Sequence, residues 1–260
     1  MKEPAPTTAP SYVVELPVLR WGIGSPRRVL LIHGVASSGA GWSGVATRLA
    51  AAGVEAWAPD LRGHGSAPRA DRYRVADLAG DLAALAPSWD AVVGHSLGGP
   101  VALALAAAGT PVGRLVLLDP VMHIDDADLP AIVADQLTES DPFADPAALA
   151  AAHPDWPAED AWAKAMAMRQ VAPHTIRSVF ADNAPWQMLP LLDRVDAPID
   201  VLRADPEVFT LFPEAHAAAA RARAPQLHDR IVVGCGHGIH RTRPDVVAAT
   251  VLDGLRAAAG

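Results

Sequence analysis

The chain has 260 residues, 51% hydrophobic and 19% charged, enough to bury the core of one α/β domain carrying an insertion. Its formal charge of -8 and the absence of any basic run argue against a nucleic acid or an anionic membrane as partner, since both are held by clustered cations. A single cysteine, Cys235, excludes an intrachain disulfide and a cysteine-based metal cluster.

Residues 1–11, rich in Pro, Ala and Thr, lack the apolar core of a signal peptide and read as a flexible tail. No apolar stretch reaches the ~18 residues of a membrane span, so a cytoplasmic protein is expected. Beyond the tail, short apolar runs alternate with helical patterns. Strands are predicted at 29–32, 54–58, 91–93, 115–118, 199–202 and 231–233, with a further one near 12–18. Trp42, Val45 and Leu49 recur at helical spacing, as do Val75, Leu78, Leu82 and Leu85. The last stretch, 244–258, opens with proline and carries Val247, Val251 and Leu255 four residues apart, which predicts a closing helix.

The alternation breaks once. Helix-like pieces at 131–138, 147–152, 158–171 and 175–181 separate two predicted strands, too much chain for a simple crossover. The expected organisation is therefore a mostly parallel sheet flanked by helices, built from 12–120 and 196–260, with 121–195 inserted as a helical cap.

Chemistry-bearing residues collect where such sheets place their ligand sites, after the carboxyl ends of the strands. Gly94-His95-Ser96-Leu97-Gly98 follows one apolar run and precedes a helical stretch. A strand, Gly-x-Ser-x-Gly and a helix make a turn so tight that Ser96 is held in a strained conformation with its hydroxyl presented, and this makes Ser96 the candidate nucleophile. His33-Gly34, Asp205 and Gly236-His237-Gly238 follow other runs. A serine hydroxyl needs an imidazole to accept its proton, and the imidazole needs a carboxylate to fix its tautomer. His237 fits the base, with His240 its nearest competitor. Asp119, in Leu118-Asp119-Pro120, stands as an alternative acid to Asp205.

His33-Gly34, the run from Asp60 to Gly65, the Ser96 turn and Gly236-His237-Gly238, with Ser96, Asp205 and His237 in that chain order, are together similar to the α/β-hydrolase superfamily. The resemblance implies a capped serine hydrolase that forms an acyl-serine without any cofactor, acting on an ester, lactone or thioester with an apolar part. It assigns the oxyanion hole to the backbone N–H groups of Val35 and Leu97, and it places the acid at Asp205 although no glycine precedes that residue. An acyltransferase, or a non-catalytic receptor on the same scaffold, are the other readings. No His-Glu-x-x-His, zinc-spaced cysteine pair or phosphate-binding loop occurs, so no metal is expected. Trp156, Trp162 and Trp186 of the insertion, and Trp42 after the first histidine loop, are candidates to contact substrate.

Overall fold

In β2 (Arg27–Ile32) successive side chains serve different layers, Leu30 and Ile32 packing into one hydrophobic cluster and Val29 and Leu31 into the other. Apolar residues on both faces are what a strand buried between two helix layers requires. The computed structural model describes residues 12–257 and contains seven strands in one sheet, in the order β1-β3-β2-β4-β5-β6-β7. These are β1 (Val18–Trp21), β2, β3 (Val54–Pro59), β4 (Ala91–His95), β5 (Leu115–Leu118), β6 (Ile199–Ala204) and β7 (Leu227–Val232). All pairings are parallel except that of β1 with β3.

Helices α1 (Ser43–Ala51) and α10 (Pro244–Ala257) cover one face, their Val45, Leu49, Val247 and Val251 fully buried among the residues of that layer. The other face carries α2 (Val75–Ala83), α3 (Gly98–Ala107) and α8 (Glu214–Arg223). The expected mostly parallel sheet flanked by helices is present. Among the described residues no helix is long and apolar enough to cross a membrane.

Two strands lie away from their expected positions, both at sheet edges. β1 begins at Val18, and the preceding residues are extended but pinned by other bonds: Val14 N–H donates to Asp81 at 2.7 Å. β7 begins four residues before the apolar run at 231–233, because an edge strand exposed on its outer side tolerates His228 and Arg230, which hide it from an apolar scan. The tail 1–11 lies outside the described residues.

The segment after β5 forms four helices, α4 (Leu129–Glu139), α5 (Pro146–Ala152), α6 (Ala158–Gln170) and α7 (Pro173–Ala181), and then a 3-10 helix at Leu189–Arg194. It is not uniform. Neither α4 nor α5 has a buried residue, whereas Ile176, Val179, Phe180 and Trp186 pack into the larger hydrophobic layer. α6 rests on the 3-10 helix Gly39–Trp42 that precedes α1.

One ion pair ties the amino-terminal part together. The guanidinium of Arg62 donates to both oxygens of Asp81, at 2.6 and 2.7 Å, and to the carbonyl of Arg72; both charged side chains are almost wholly buried. Such a pair stabilises little against an apolar alternative, but removing one partner strands the other charge. Asp81→Ala is therefore expected to lower unfolding free energy by about 3–5 kcal/mol, read from urea denaturation.

Candidate active site

The turn between β4 and α3 carries Ser96 at φ 55°, a left-handed conformation that costs a non-glycine residue energy. The turn closes so tightly that a Cβ on Gly94 would stand 2.2 Å from the carbonyl oxygen of Gly98, so position 94 admits only hydrogen. Leu97 directly precedes α3, where backbone N–H groups lack intrahelical acceptors. The loop after β2 passes over this turn: a Cβ on Gly34 would approach the Cβ of Ser96 to 2.8 Å. His33 fastens that loop. Its Nε2 accepts from Leu61 N–H at 3.0 Å, which leaves Nδ1 to donate to the Gly34 carbonyl at 2.8 Å. Burial lowers the pKa of His33, and burial, with a smaller electrostatic effect of His33, takes His64 to about 3.

His237, in the loop after β7, donates from Nδ1 to Asp119 Oδ2 at 2.7 Å. That bond fixes the tautomer with Nε2 unprotonated and free to take a proton. The expected acid, Asp205, is not the partner. Its carboxylate accepts from Gly234 N–H at 2.7 Å and Glu207 N–H at 3.0 Å, closing turns after β7 and β6. Asp119 is instead fully buried at the end of β5 and accepts from Thr210 Oγ1 at 2.6 Å, Leu211 N–H at 2.8 Å and Ala204 N–H at 3.3 Å as well as from His237. Burial alone would raise its pKa. The His237 hydrogen bond and charge, with the Leu211 and Thr210 bonds, outweigh it and hold the carboxyl below the ordinary 3.8.

His240 is buried between rings, 4.8 Å from Trp42 and 4.4 Å from His95, and so is a packing residue. His95 joins the Ser96 turn to the loop of His237: its ring lies 4.5 Å from that of His237, and its Nε2 donates to the His237 carbonyl at 2.9 Å. In this state Ser96 is 8% exposed and no hydrogen bond joins Ser96 Oγ to the His237 ring. Catalytic bonds of this kind often tighten only when substrate binds.

The four tryptophans separate by location. Trp42 is fully buried against His240, and Trp186 is buried with its Nε1 donating to the Val121 carbonyl, so neither is offered to a ligand. For Trp42 the helical spacing with Val45 and Leu49 was a core signal. Trp156 lies beside Gly238, its ring 3.4 Å from where a Cβ on that glycine would stand, stacked on His153 and beneath the Arg241 guanidinium. Trp162 is exposed and borders a groove of about 340 Å³ shared with Leu19, Met166 and Ser38 of the loop after β2. A hollow of similar volume near Arg74, Asn183 and Arg194 includes none of the residues of this site.

Charged residues that sequence reasoning did not single out also meet this loop. Lys164 Nζ donates to the Ala36 carbonyl at 3.0 Å, and Arg241 Nη2 to Ser37 Oγ at 3.2 Å. Burial, then the Arg241 charge, takes Lys164 down to about 8; burial takes Arg241 down to about 10 and Asp160, one turn before Lys164 on α6, up to about 6. No sequence pattern marks them, because their neighbours come from three separate segments.

Residues 29–250 match the alpha/beta hydrolase family. The lipase LipV of Mycobacterium tuberculosis is 40% identical over 140 residues, 52% of this chain and 52% of that protein. An esterase of the same organism is 45% identical over 108 residues, covering 39% of this chain and 35% of its own length. The chain thus matches about half or less of these curated relatives. Among solved structures, E-2-(acetamidomethylene)succinate hydrolase superposes with a TM-score of 0.77 at 23% identity, covering 93% of this chain and all of its own. The esterase RhEst1 from Rhodococcus sp. ECU1013 gives 0.75, also at 23%, over 94% and 97%. At these identities the likeness is one of fold.

The lowered pKa of Asp119 has a stability consequence of definite sign. Its contribution is complete above the unfolded carboxyl value of 3.8 and is lost as pH falls through the lower folded value. Asp119→Asn is expected to be less stable than the parent at neutral pH and to lose less further stability on acidification below pH 4, read as urea midpoints across pH.

Proposed function

Since the chain belongs to the alpha/beta hydrolase family, we propose that it is a serine hydrolase of carboxylic esters, with Ser96 as nucleophile, His237 as general base and Asp119 as the acid that orients it. The observation that carries the reading is the 2.7 Å bond from His237 Nδ1 to buried Asp119, in a loop held by His95 against the strained Ser96 turn. The lipase and esterase names of the partial relatives support an ester as the substrate class.

In this mechanism a substrate carbonyl carbon is attacked by Ser96 Oγ while His237 Nε2 takes the hydroxyl proton. The carbonyl electron pair moves onto oxygen, and the oxyanion accepts from the N–H groups of Val35 and Leu97. Collapse restores the carbonyl, breaks the bond to the alcohol oxygen and returns the proton from imidazolium to the leaving alcohol. Water, deprotonated by the same imidazole, then releases the acid from the acyl-serine. Asp119 stabilises the imidazolium in both halves and stays ionised. The segment 121–195 acts as a cap, with α6 lying over the loop that bears Val35. Lactones and thioesters fit the same acyl transfer. The groove beside Trp162 and Met166 supports an apolar substrate portion there.

Ser96→Ala is expected to fold, to lose ester turnover and to take no label from a fluorophosphonate; normal turnover in the folded variant would remove Ser96 from the nucleophile's role. Asp119→Asn should lower kcat by up to ~10⁴-fold by allowing the wrong imidazole tautomer, and Asp205→Asn by far less. If the two rank the other way in a kcat comparison, the acid is Asp205. Replacing Trp162 with serine should shift the preference among linear acyl chains, by about 1–3 kcal/mol of discrimination per lost methylene contact, read as kcat/KM across an ester series.

A further inference from the structure

Lys164 and Arg241 reach the loop after β2 from opposite sides, one from α6 and one from α9 (Ile239–Thr242), and bind consecutive residues of it, Ala36 and Ser37. Arg241 is 5% exposed, its guanidinium lies over the Trp156 ring at 5.0 Å, and its Nε is buried without a hydrogen-bond partner. The carboxylate that faces it, Asp160, is also buried, and neither of its oxygens has a partner. Asp160 therefore forms no direct ion pair with either cation, and Arg48 competes for its charge. Glu139 is the carboxylate that acts on Lys164. The loop they hold lies on the Ser96 turn, Gly34 packing against the Ser96 side chain, and both cations bear electrostatically on His33 and His95.

A buried guanidinium Nε and a buried carboxylate that both lack hydrogen-bond partners cost stability until a further group bonds them, and an anion satisfies the Arg241 Nε. Lys164 and Arg241 hold the loop whose Gly34 packs against the Ser96 side chain, so a substrate that displaces this loop takes the Ala36 carbonyl from Lys164. A carboxylate on the substrate restores that acceptor and supplies one for Arg241 Nε.

We propose, on the footing of the serine-hydrolase reading, that Lys164 and Arg241 form a carboxylate-binding subsite beside the oxyanion loop, and that the preferred substrates are esters carrying a carboxylate. The lowered pKa values of both cations accord with a site poised for an anion. The subsite adds a charge-assisted contact to the apolar groove and makes the enzyme selective for acidic esters.

Monophenyl adipate against phenyl hexanoate tests a carboxylate on the acyl side, since the two differ only in a carboxylate for a methyl group. Carboxymethyl hexanoate against ethyl hexanoate tests the alcohol side. For the parent enzyme kcat/KM is expected to favour the anionic ester of one pair by at least about tenfold, the size of one charge-assisted hydrogen bond. Lys164→Met and Arg241→Met should each shrink that ratio by about tenfold, and Lys164→Arg should retain it. Because the readout is a ratio within one variant, a general loss of activity cancels; if Arg241→Met does not fold, the half-buried Lys164 carries the test alone. Equal turnover of both members of both pairs by the parent, or an unchanged ratio in Lys164→Met, overturns the subsite and leaves the serine-hydrolase reading standing. Absence of all ester turnover together with absence of fluorophosphonate labelling overturns that reading itself.

Discussion

The carboxylate of Asp119 is the constraint around which the site is assembled. A charge taken wholly out of water must be hydrogen-bonded or it neutralises, and here the donors come from Ala204 at the end of β6, Thr210 and Leu211 in the following loop, and His237 after β7. Satisfying one buried group thus draws together the carboxyl ends of three neighbouring strands. Asp205 serves the same corner differently. By closing the turns at Glu207 and Gly234 it shapes the loop that delivers Thr210 and Leu211 and steadies the approach to His237.

Strain accompanies this assembly. Among the described residues three non-glycine positions have positive φ, namely Ala36, Ser96 and Asp119, and all three lie in the loops that form the site. Each such conformation costs of order 1–3 kcal/mol and persists only where its surroundings over-determine it. The surroundings do so here: Lys164 holds the Ala36 carbonyl, the Ser96 N–H donates to Leu118, and the Asp119 N–H donates to Leu202. The adjacent strands supply the rigidity, and the loops use it to hold the Ser96 turn and the His237 imidazole in place.

The inserted segment meets the core in two chemically different ways. Residues of α7 and Trp186 bury apolar side chains in the larger hydrophobic layer, a contact that exposes hydrocarbon if broken. The seam between α6 and the loop after β2 is polar, joined by Lys164 to Ala36, with Arg241 bonded to Ser37 nearby. Water can replace such bonds at small net cost, so this polar seam is the cheaper one to open. The anchored end and the openable end are thereby assigned by side-chain chemistry.

The sequence by itself determined the layered sheet, the helices of the insertion and the Ser96 turn, because the signals for each lie within a few residues of one another. Apolar runs mark strands buried on both faces, and Gly94 with Gly98 marks a turn whose closure is local. The edge strands β1 and β7 were displaced from the apolar pattern because a strand with one neighbour need not be apolar. Trp42 followed helical spacing that is the same for a core residue as for a ligand contact, Trp186 carried no such pattern, and only packing placed both in the interior. Tertiary structure alone decided the partner of His237: Asp119 and Asp205 both end strands that neighbour each other, and which carboxylate faces the imidazole depends on where two loops turn. The convergence of Lys164, Asp160 and Arg241 was decided in the same way, since positions about 80 residues apart in the chain come together only when α6 rests on the 3-10 helix before α1.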